Sequence, residues 1–177
     1  MPALTKKDLD VILEKCDAQI TNYRTLIETG SHVGDTILHL KDFFDKIYTI
    51  EISEHYYNIV NGKFAESEKI KCILGDTSKI LPNLLFVESE KIIFWLDAHW
   101  SSGDTGKGDL DCPLLEELYI IDNSCKDSII IIDDYRLFGT KGNEDWSDIT
   151  LPNIMSKFTK NNIKKIFVEG DRLIILI

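Results

Sequence analysis

Long apolar runs are missing from this chain of 177 residues. Its longest, such as Ser128–Ile132 and Leu173–Ile177, are strand-sized. A membrane span needs roughly 20 apolar residues, so none is expected. Met1–Asp10 carries Lys6, Lys7, Asp8 and Asp10 and no long apolar stretch, so no secretory leader is expected either. Cysteine is scarce. No two of Cys16, Cys72, Cys112 and Cys125 stand in C-x-x-C spacing, which leaves zinc and redox motifs unsupported. The expectation is reduced thiols in a cytoplasmic protein. Basic residues are outnumbered, 20 Lys and Arg against 30 Asp and Glu, for a net charge of −10. No basic stripe interrupts the scatter of lysines. Nucleic acid is therefore not the expected partner, because phosphate binding draws its affinity from Lys and Arg. Most of the acid excess reads as solvating surface. Repeats and low-complexity linkers are also absent, and the length suits one domain over residues 1–177, with residues 1–20 as a helical lead-in.

What is present is alternation of strand and helix. An amphipathic lead-in over 5–20 puts Leu9, Ile12, Leu13 and Cys16 on one face. Strands are expected at Arg24–Glu28, Lys46–Ile50, Lys69–Leu74, Lys91–Leu96 and Ser128–Ile132. Helices are expected at about 35–44, 53–62, from 76 or 77 through the Leu80s, 113–121 and 151–159. Ser53 is expected to cap its helix through its side-chain oxygen. Strands apolar throughout, such as Ile129-Ile130-Ile131-Ile132, are those covered on both faces. The last pair, Lys164–Val168 and Arg172–Ile177, is separated by only Glu169-Gly170-Asp171, too short for a crossover helix, so it forms an antiparallel hairpin. The fold class expected is α/β: a doubly wound seven-stranded sheet, five parallel strands plus a C-terminal antiparallel hairpin, with helices on both faces.

In such a sheet the ligand sits outside the carboxyl ends of the strands. Every one of those ends carries an acid: Glu28-Thr29-Gly30, Glu51, Gly75-Asp76, Asp97 and Asp133-Asp134. Helix N-termini favour acids through the macrodipole, which is the bland account of any single one. Gly30 and Gly34 allow a tight turn and close approach of a ligand. A carboxylate at Glu51 can accept both hydroxyls of a ribose. Asp76 is placed to meet an adenine amino group.

Glu28-Thr29-Gly30-Ser31-His32-Val33-Gly34-Asp35-Thr36 resembles the first motif of class I S-adenosylmethionine (SAM)-dependent methyltransferases. Ile50-Glu51-Ile52-Ser53, Leu74-Gly75-Asp76-Thr77 and Trp95-Leu96-Asp97-Ala98-His99 are similar to their next three. The resemblance runs from about residue 20 to the C-terminus and implies a Rossmann-like fold. It also implies SAM contacts from Glu28, Thr29, Gly30, Ser31, Gly34, Asp35, Thr36, Glu51, Ile52, Ser53, Gly75, Asp76, Thr77 and Asp97. The first motif departs from the common pattern in lacking a third glycine. More narrowly, Leu96-Asp97-Ala98-His99 with Ile131-Ile132-Asp133-Asp134-Tyr135 resembles the metal-dependent O-methyltransferases of macrolide and aminocoumarin sugars. That resemblance implies Asp97, Asp133 and Asp134 as ligands of Mg2+ or a similar cation, and His99 as the base. A cation held by carboxylates lowers the pKa of a hydroxyl, and an imidazole can accept its proton.

The polar loop Ser101–Asp111 is read as a mobile substrate lid, with Asp104, Lys107 and Asp109, and also Tyr135, as substrate contacts. Asp133-Asp134 and His99 each have a plain alternative as loop residues. Trp95, Trp100 and Trp146 are read as packing residues, with Trp100 the one able to stack on a ligand. One of Glu116 and Glu117 is expected to face the site. The reading is a SAM-dependent methyltransferase with a small-molecule acceptor, sugar-like or a polysaccharide precursor. An NAD-type nucleotide enzyme and a non-catalytic SAM-binding module stay open, as does a homodimer.

Overall fold

The computed structural model describes residues 3–87, 91–100, 106 and 108–177. Seven strands form one sheet in the order β3-β2-β1-β4-β5-β7-β6. They are β1 (Thr25–Thr29), β2 (Lys46–Glu51), β3 (Ile70–Leu74), β4 (Ile92–Leu96), β5 (Ile129–Ile132), β6 (Lys165–Glu169) and β7 (Arg172–Leu176). The first five pair in parallel, and β7 runs antiparallel to both β5 and β6. Gly170, with φ of +59°, makes the turn of the terminal hairpin. The helices are α1 (Lys6–Lys15), α2 (Asp35–Leu40), α3 (Glu54–Lys63), α4 (Thr77–Val87), α5 (Leu114–Ser124) and α6 (Leu151–Met155). Among the described residues no helix is long and apolar enough to cross a membrane.

Period-two alternation divides the strand side chains between two cores. Ile27, Ile50, Phe94, Ile130 and Ile132 pack beneath Leu81, Leu118 and Ile154 of α4, α5 and α6. Leu26, Ile47, Ile93, Trp95, Ile129 and Ile131 pack beneath Leu9, Ile37 and Val60 of α1, α2 and α3. With helices on both faces, β1, β4 and β5 are buried along their whole length, which is why they carry no polar alternation. Each leucine- or isoleucine-sized side chain moved from water to these cores is worth roughly 1.5–3 kcal/mol.

Local chemistry sets the element ends. Thr5 and Asp8 form a capping box at α1: Asp8 N–H donates to Thr5 Oγ1 (3.3 Å) and Thr5 N–H to Asp8 Oδ2 (3.1 Å). Helix α2 is shorter than the expected 35–44, because the chain turns after Leu40 to bury Phe44 and feed β2. Helix α6 likewise stops at Met155, short of 159. There the chain turns so that the backbone N–H groups of Thr159, Lys160 and Asn161 reach the Asp122 carboxylate of α5. The lead-in is α1 followed by a separate short turn at Ile20–Asn22. Ser53 stands at the N-cap position of α3 but makes no side-chain capping bond. Its backbone N–H is instead drawn to Glu51 Oε1 (2.8 Å).

Candidate active site

The carboxyl ends of β1, β2, β4 and β5 surround a cavity of about 670 Å3. Its first wall is the turn after β1. Gly30 has φ of +84°, and a Cβ there would come within 2.5 Å of the Asp97 carbonyl oxygen. The turns after β1 and β4 are thus in backbone contact, and only glycine fits. His32 adopts φ of +45° and donates its N–H to Glu51 Oε2 (2.9 Å). The two bonds from His32 and Ser53 occupy one lone pair on each Glu51 oxygen and fix the carboxylate at the cavity wall. Each oxygen keeps a lone pair for a further donor.

Most of the residues expected to touch a cofactor line this cavity: Glu28, Gly30, Ser31, Asp35, Thr36, Glu51, Ile52, Asp76, Thr77 and Asp97. Thr29, Gly34, Ser53 and Gly75 do not line it; they shape it from behind. Gly34, with φ of +81°, sits against Phe64 and Val60, and Gly75 against Ile80. Thr29, the last residue of β1, is fully buried beside Glu117 of α5. Glu28 is 1% exposed and accepts the Thr49 hydroxyl at 2.6 Å. Burial pushes its carboxyl up to about 8, with the nearby Asp97 and Glu51 adding to the effect and the Thr49 and Thr36 hydroxyls opposing it. Burial also raises Asp76, but hydrogen bonds from Ser78 and Lys79 outweigh it and hold the group below its usual value.

The opposite wall carries Asp97, His99, Asp134 and Glu144. His99 lies between carboxylates, with Nδ1 3.4 Å from Asp97 Oδ1 and Nε2 3.3 Å from Asp134 Oδ2 and 3.8 Å from Glu144 Oε2. Burial pulls the imidazole pKa down, yet these carboxylates hold it above its ordinary value. Asp97 is raised, chiefly by burial. The Asp97 and Asp134 oxygens that face His99 are buried and receive no well-formed hydrogen bond. Unsatisfied buried carboxylate oxygens are costly, and their convergence suits a cation.

Several expectations need correction. Asp133 does not face this wall: its Oδ1 lies 3.5 Å from Arg172 Nε, and its carboxyl is pushed up to about 7 by burial and by Asp97 and Asp134. Tyr135 does not line the cavity, because the turn after Asp134 sends its ring onto Phe138 at 5.0 Å. Asp109 borders the cavity beside Asp76, to which Lys79 bridges it (3.0 Å to Asp109, 3.1 Å to Asp76). Gly106 and Gly108 lie against Ile52 at the same end. Of the described part of the 101–111 loop, Gly106, Gly108 and Asp109 lie around Ile52 and Asp76, while Asp111 Oδ2 accepts from the Asp145 N–H (3.4 Å) of the 139–149 loop; Asp104 and Lys107 lie outside the described residues. Of the glutamate pair, Glu116 lines the cavity. Glu117 is buried beneath it and pushed up to about 7, mainly by burial. Trp95 and Trp146 are core residues, and Trp100 does border the cavity.

Glu144 was not singled out in the sequence. It reaches the site because Trp146, buried against Phe138 and edge-on to His99, anchors the 139–149 loop. The Trp146 indole N–H then donates to Glu144 Oε2 at 3.0 Å. Arg136, also on this wall, is committed to Asp134 and Asp171.

No family model matches the chain. Over 104 residues, 54% of its length, it is 25% identical to a protein of Methanococcoides burtonii described as a probable ribosomal RNA small subunit methyltransferase A. The match spans 38% of that protein. Solved structures align over nearly the whole chain. The O-methyltransferase TomG of Streptomyces achromogenes, involved in tomaymycin synthesis and solved with SAM, gives a TM-score of 0.65 at 14% identity, covering 98% of this chain and 80% of TomG. A SAM-dependent methyltransferase of Clostridium acetobutylicum gives 0.61 at 15% identity, covering 98% and 91%. The sheet order, the terminal hairpin and these alignments together establish that the chain has the Rossmann-like fold of the class I SAM-dependent methyltransferases.

Proposed function

We propose that the chain is a SAM-dependent methyltransferase that methylates a hydroxyl of a small polyhydroxylated acceptor, with a divalent cation at the acidic wall. The observation that carries this reading is one cavity with two chemically distinct walls. One has the tethered Glu51 carboxylate and the tight Gly30 turn; the other has Asp97 Oδ1 and Asp134 Oδ2, both buried and without a hydrogen bond, beside His99. Glu51 would hold the ribose hydroxyls, and Asp76 the adenine amino group. Gly30 would let the methionyl part approach the backbone.

SAM, when bound, supplies an electrophilic methyl group, and a cation held by Asp97 and Asp134 would lower the pKa of the acceptor hydroxyl. Asp97, Asp134 and Glu144 would position the acceptor hydroxyl for transfer, and positioning supplies much of the rate in such reactions. His99 and Glu144 are the two groups at hand to receive the hydroxyl proton.

The M. burtonii relative, whose name gives it a ribosomal RNA substrate, supports a second reading with RNA as acceptor. The charge of the wall favours the first. Asp97, Asp134 and Glu144 stand there with Arg136 already paired, an arrangement that repels a phosphate backbone.

Calorimetric titration with S-adenosylhomocysteine, with NAD as the control, tests the cofactor. Micromolar binding of the homocysteine adduct and none of NAD is expected. A flat trace for the adduct would sink the proposal.

A further inference from the structure

The acidic wall does not have the ligand set that its sequence pattern implies. Asp97, His99 and Asp134 each offer a ligand atom, and these atoms lie within 4.8 Å of one another. Asp133 is not part of this group: its Oδ1 lies 3.5 Å from Arg172 Nε, and its Oδ2 is buried without a hydrogen bond outside the cluster. Asp134 is fully buried and aims an unpartnered Oδ2 at the group. Between the imidazole nitrogens and the two carboxylates the gaps are 3.3 and 3.4 Å, beyond the 2.7–3.2 Å of a good N–H···O bond.

From this geometry we infer that His99 is a metal ligand alongside Asp97 and Asp134, that Asp133 is not, and that the site takes a divalent transition ion in preference to Mg2+. The inference rests on the reading of this wall as a cation site and names its ligands and its metal.

Three arguments carry it. First, His99 is flanked at both nitrogens. Asp97 Oδ1 stands 3.4 Å from Nδ1 and Asp134 Oδ2 3.3 Å from Nε2, so the ring already lies between the two carboxylates proposed as its co-ligands. Second, the ring is held in place from the side by Trp146, at 5.0 Å and 65°. A locked, buried imidazole is a preformed ligand. Third, imidazole favours later first-row ions such as Co2+ and Zn2+, whereas an all-oxygen set suits Mg2+. Replacing a carboxylate by an imidazole shifts the preference accordingly. With His99 engaged, Glu144 is left as the proton acceptor on this wall.

The test is calorimetric titration of the metal-free protein with Co2+, Zn2+ and Mg2+, each without cofactor. Co2+ and Zn2+ should bind at least about 100-fold more tightly than Mg2+. His99→Ala should weaken Co2+ by at least about tenfold, and Asp133→Asn should leave it within about threefold. Because His99 is buried and its removal could disturb packing, proton NMR of the Co2+-loaded wild-type protein gives an independent reading. A hyperfine-shifted, exchangeable imidazole N–H resonance is expected. Absence of that resonance, equal affinity for Mg2+, or loss of binding in Asp133→Asn but not in His99→Ala would overturn the inference. So would failure of all three ions to bind. S-adenosylhomocysteine titrated into the same metal-free samples reports on the cofactor reading alone, so the two failures are distinguishable.

Discussion

Glu28 gives the sharpest quantitative prediction. Its carboxyl is buried at the end of β1, with a pKa moved from an ordinary 4.5 up to about 8. In the folded protein it is therefore neutral at pH 7, while in the unfolded chain it ionises above about 4.5. Between those values the unfolded state binds fewer protons than the folded state, so this group's contribution to stability is fully present below pH 4.5. It is lost progressively as pH rises towards 8. At about 1.4 kcal/mol per pH unit, the loss between pH 4.5 and 7 is roughly 3 kcal/mol at most. Glu28→Gln removes the titration and keeps an oxygen for the Thr49 hydroxyl. Urea unfolding of both proteins at pH 5, 6, 7 and 8, at fixed ionic strength, measures the difference. Other groups raised by burial, such as Glu117 and Asp133, titrate in both proteins and largely cancel. The variant should gain on the wild type by about 3–4 kcal/mol from pH 5 to pH 8. A difference constant to within about 0.5 kcal/mol across that range would refute the assignment of a neutral Glu28.

Three further outcomes are expected. Gly30→Ala places a Cβ within 2.5 Å of the Asp97 carbonyl at a φ of +84°; adduct affinity should fall by more than about 100-fold, with a lowered melting temperature by calorimetry. Glu51→Ala removes the acceptor of two backbone N–H groups and, on the proposed reading, of the ribose hydroxyls, and should weaken S-adenosylhomocysteine by at least about 30-fold in the same titration. Asp122→Ala strips the carboxylate that receives the backbone N–H groups of Thr159, Lys160 and Asn161. It should cost roughly 2–4 kcal/mol in urea unfolding while leaving adduct affinity unchanged, since it lies outside the cavity.

The topology was legible because it rests on few, strong signals. Strands buried on both faces need continuous apolar sequence, as in Ile129–Ile132, and the three residues between β6 and β7 leave no room for a crossover. Element ends were less legible. Ser53 has the right residue type for a cap, but the Glu51 carboxylate competes for the local N–H, and that competition depends on how β2 ends against the β1 turn. The 101–111 loop illustrates the same limit. Its composition announces a polar excursion beside the cavity, but not that Asp109 pairs with Lys79 of α4.

The acid pair after β5 shows why ligand roles are harder to read than ligand types. Along β5, Ile130 and Ile132 face the helices α4 to α6, and Ile129 and Ile131 face α1 to α3. Asp133 continues the second series and so points to the α1 side, where Arg172 lies across Trp95 and also approaches Asp8. Asp134 reaches the cavity because it leaves the strand in a left-handed conformation, with φ of +57°, which aspartate tolerates better than most residues. Two adjacent acids thus serve opposite faces of the sheet. The strand's parity decides which faces which, and parity is fixed by where β5 stops. The loop after β4 places the His99 ring between Asp97 and Asp134, on the cavity side of this division.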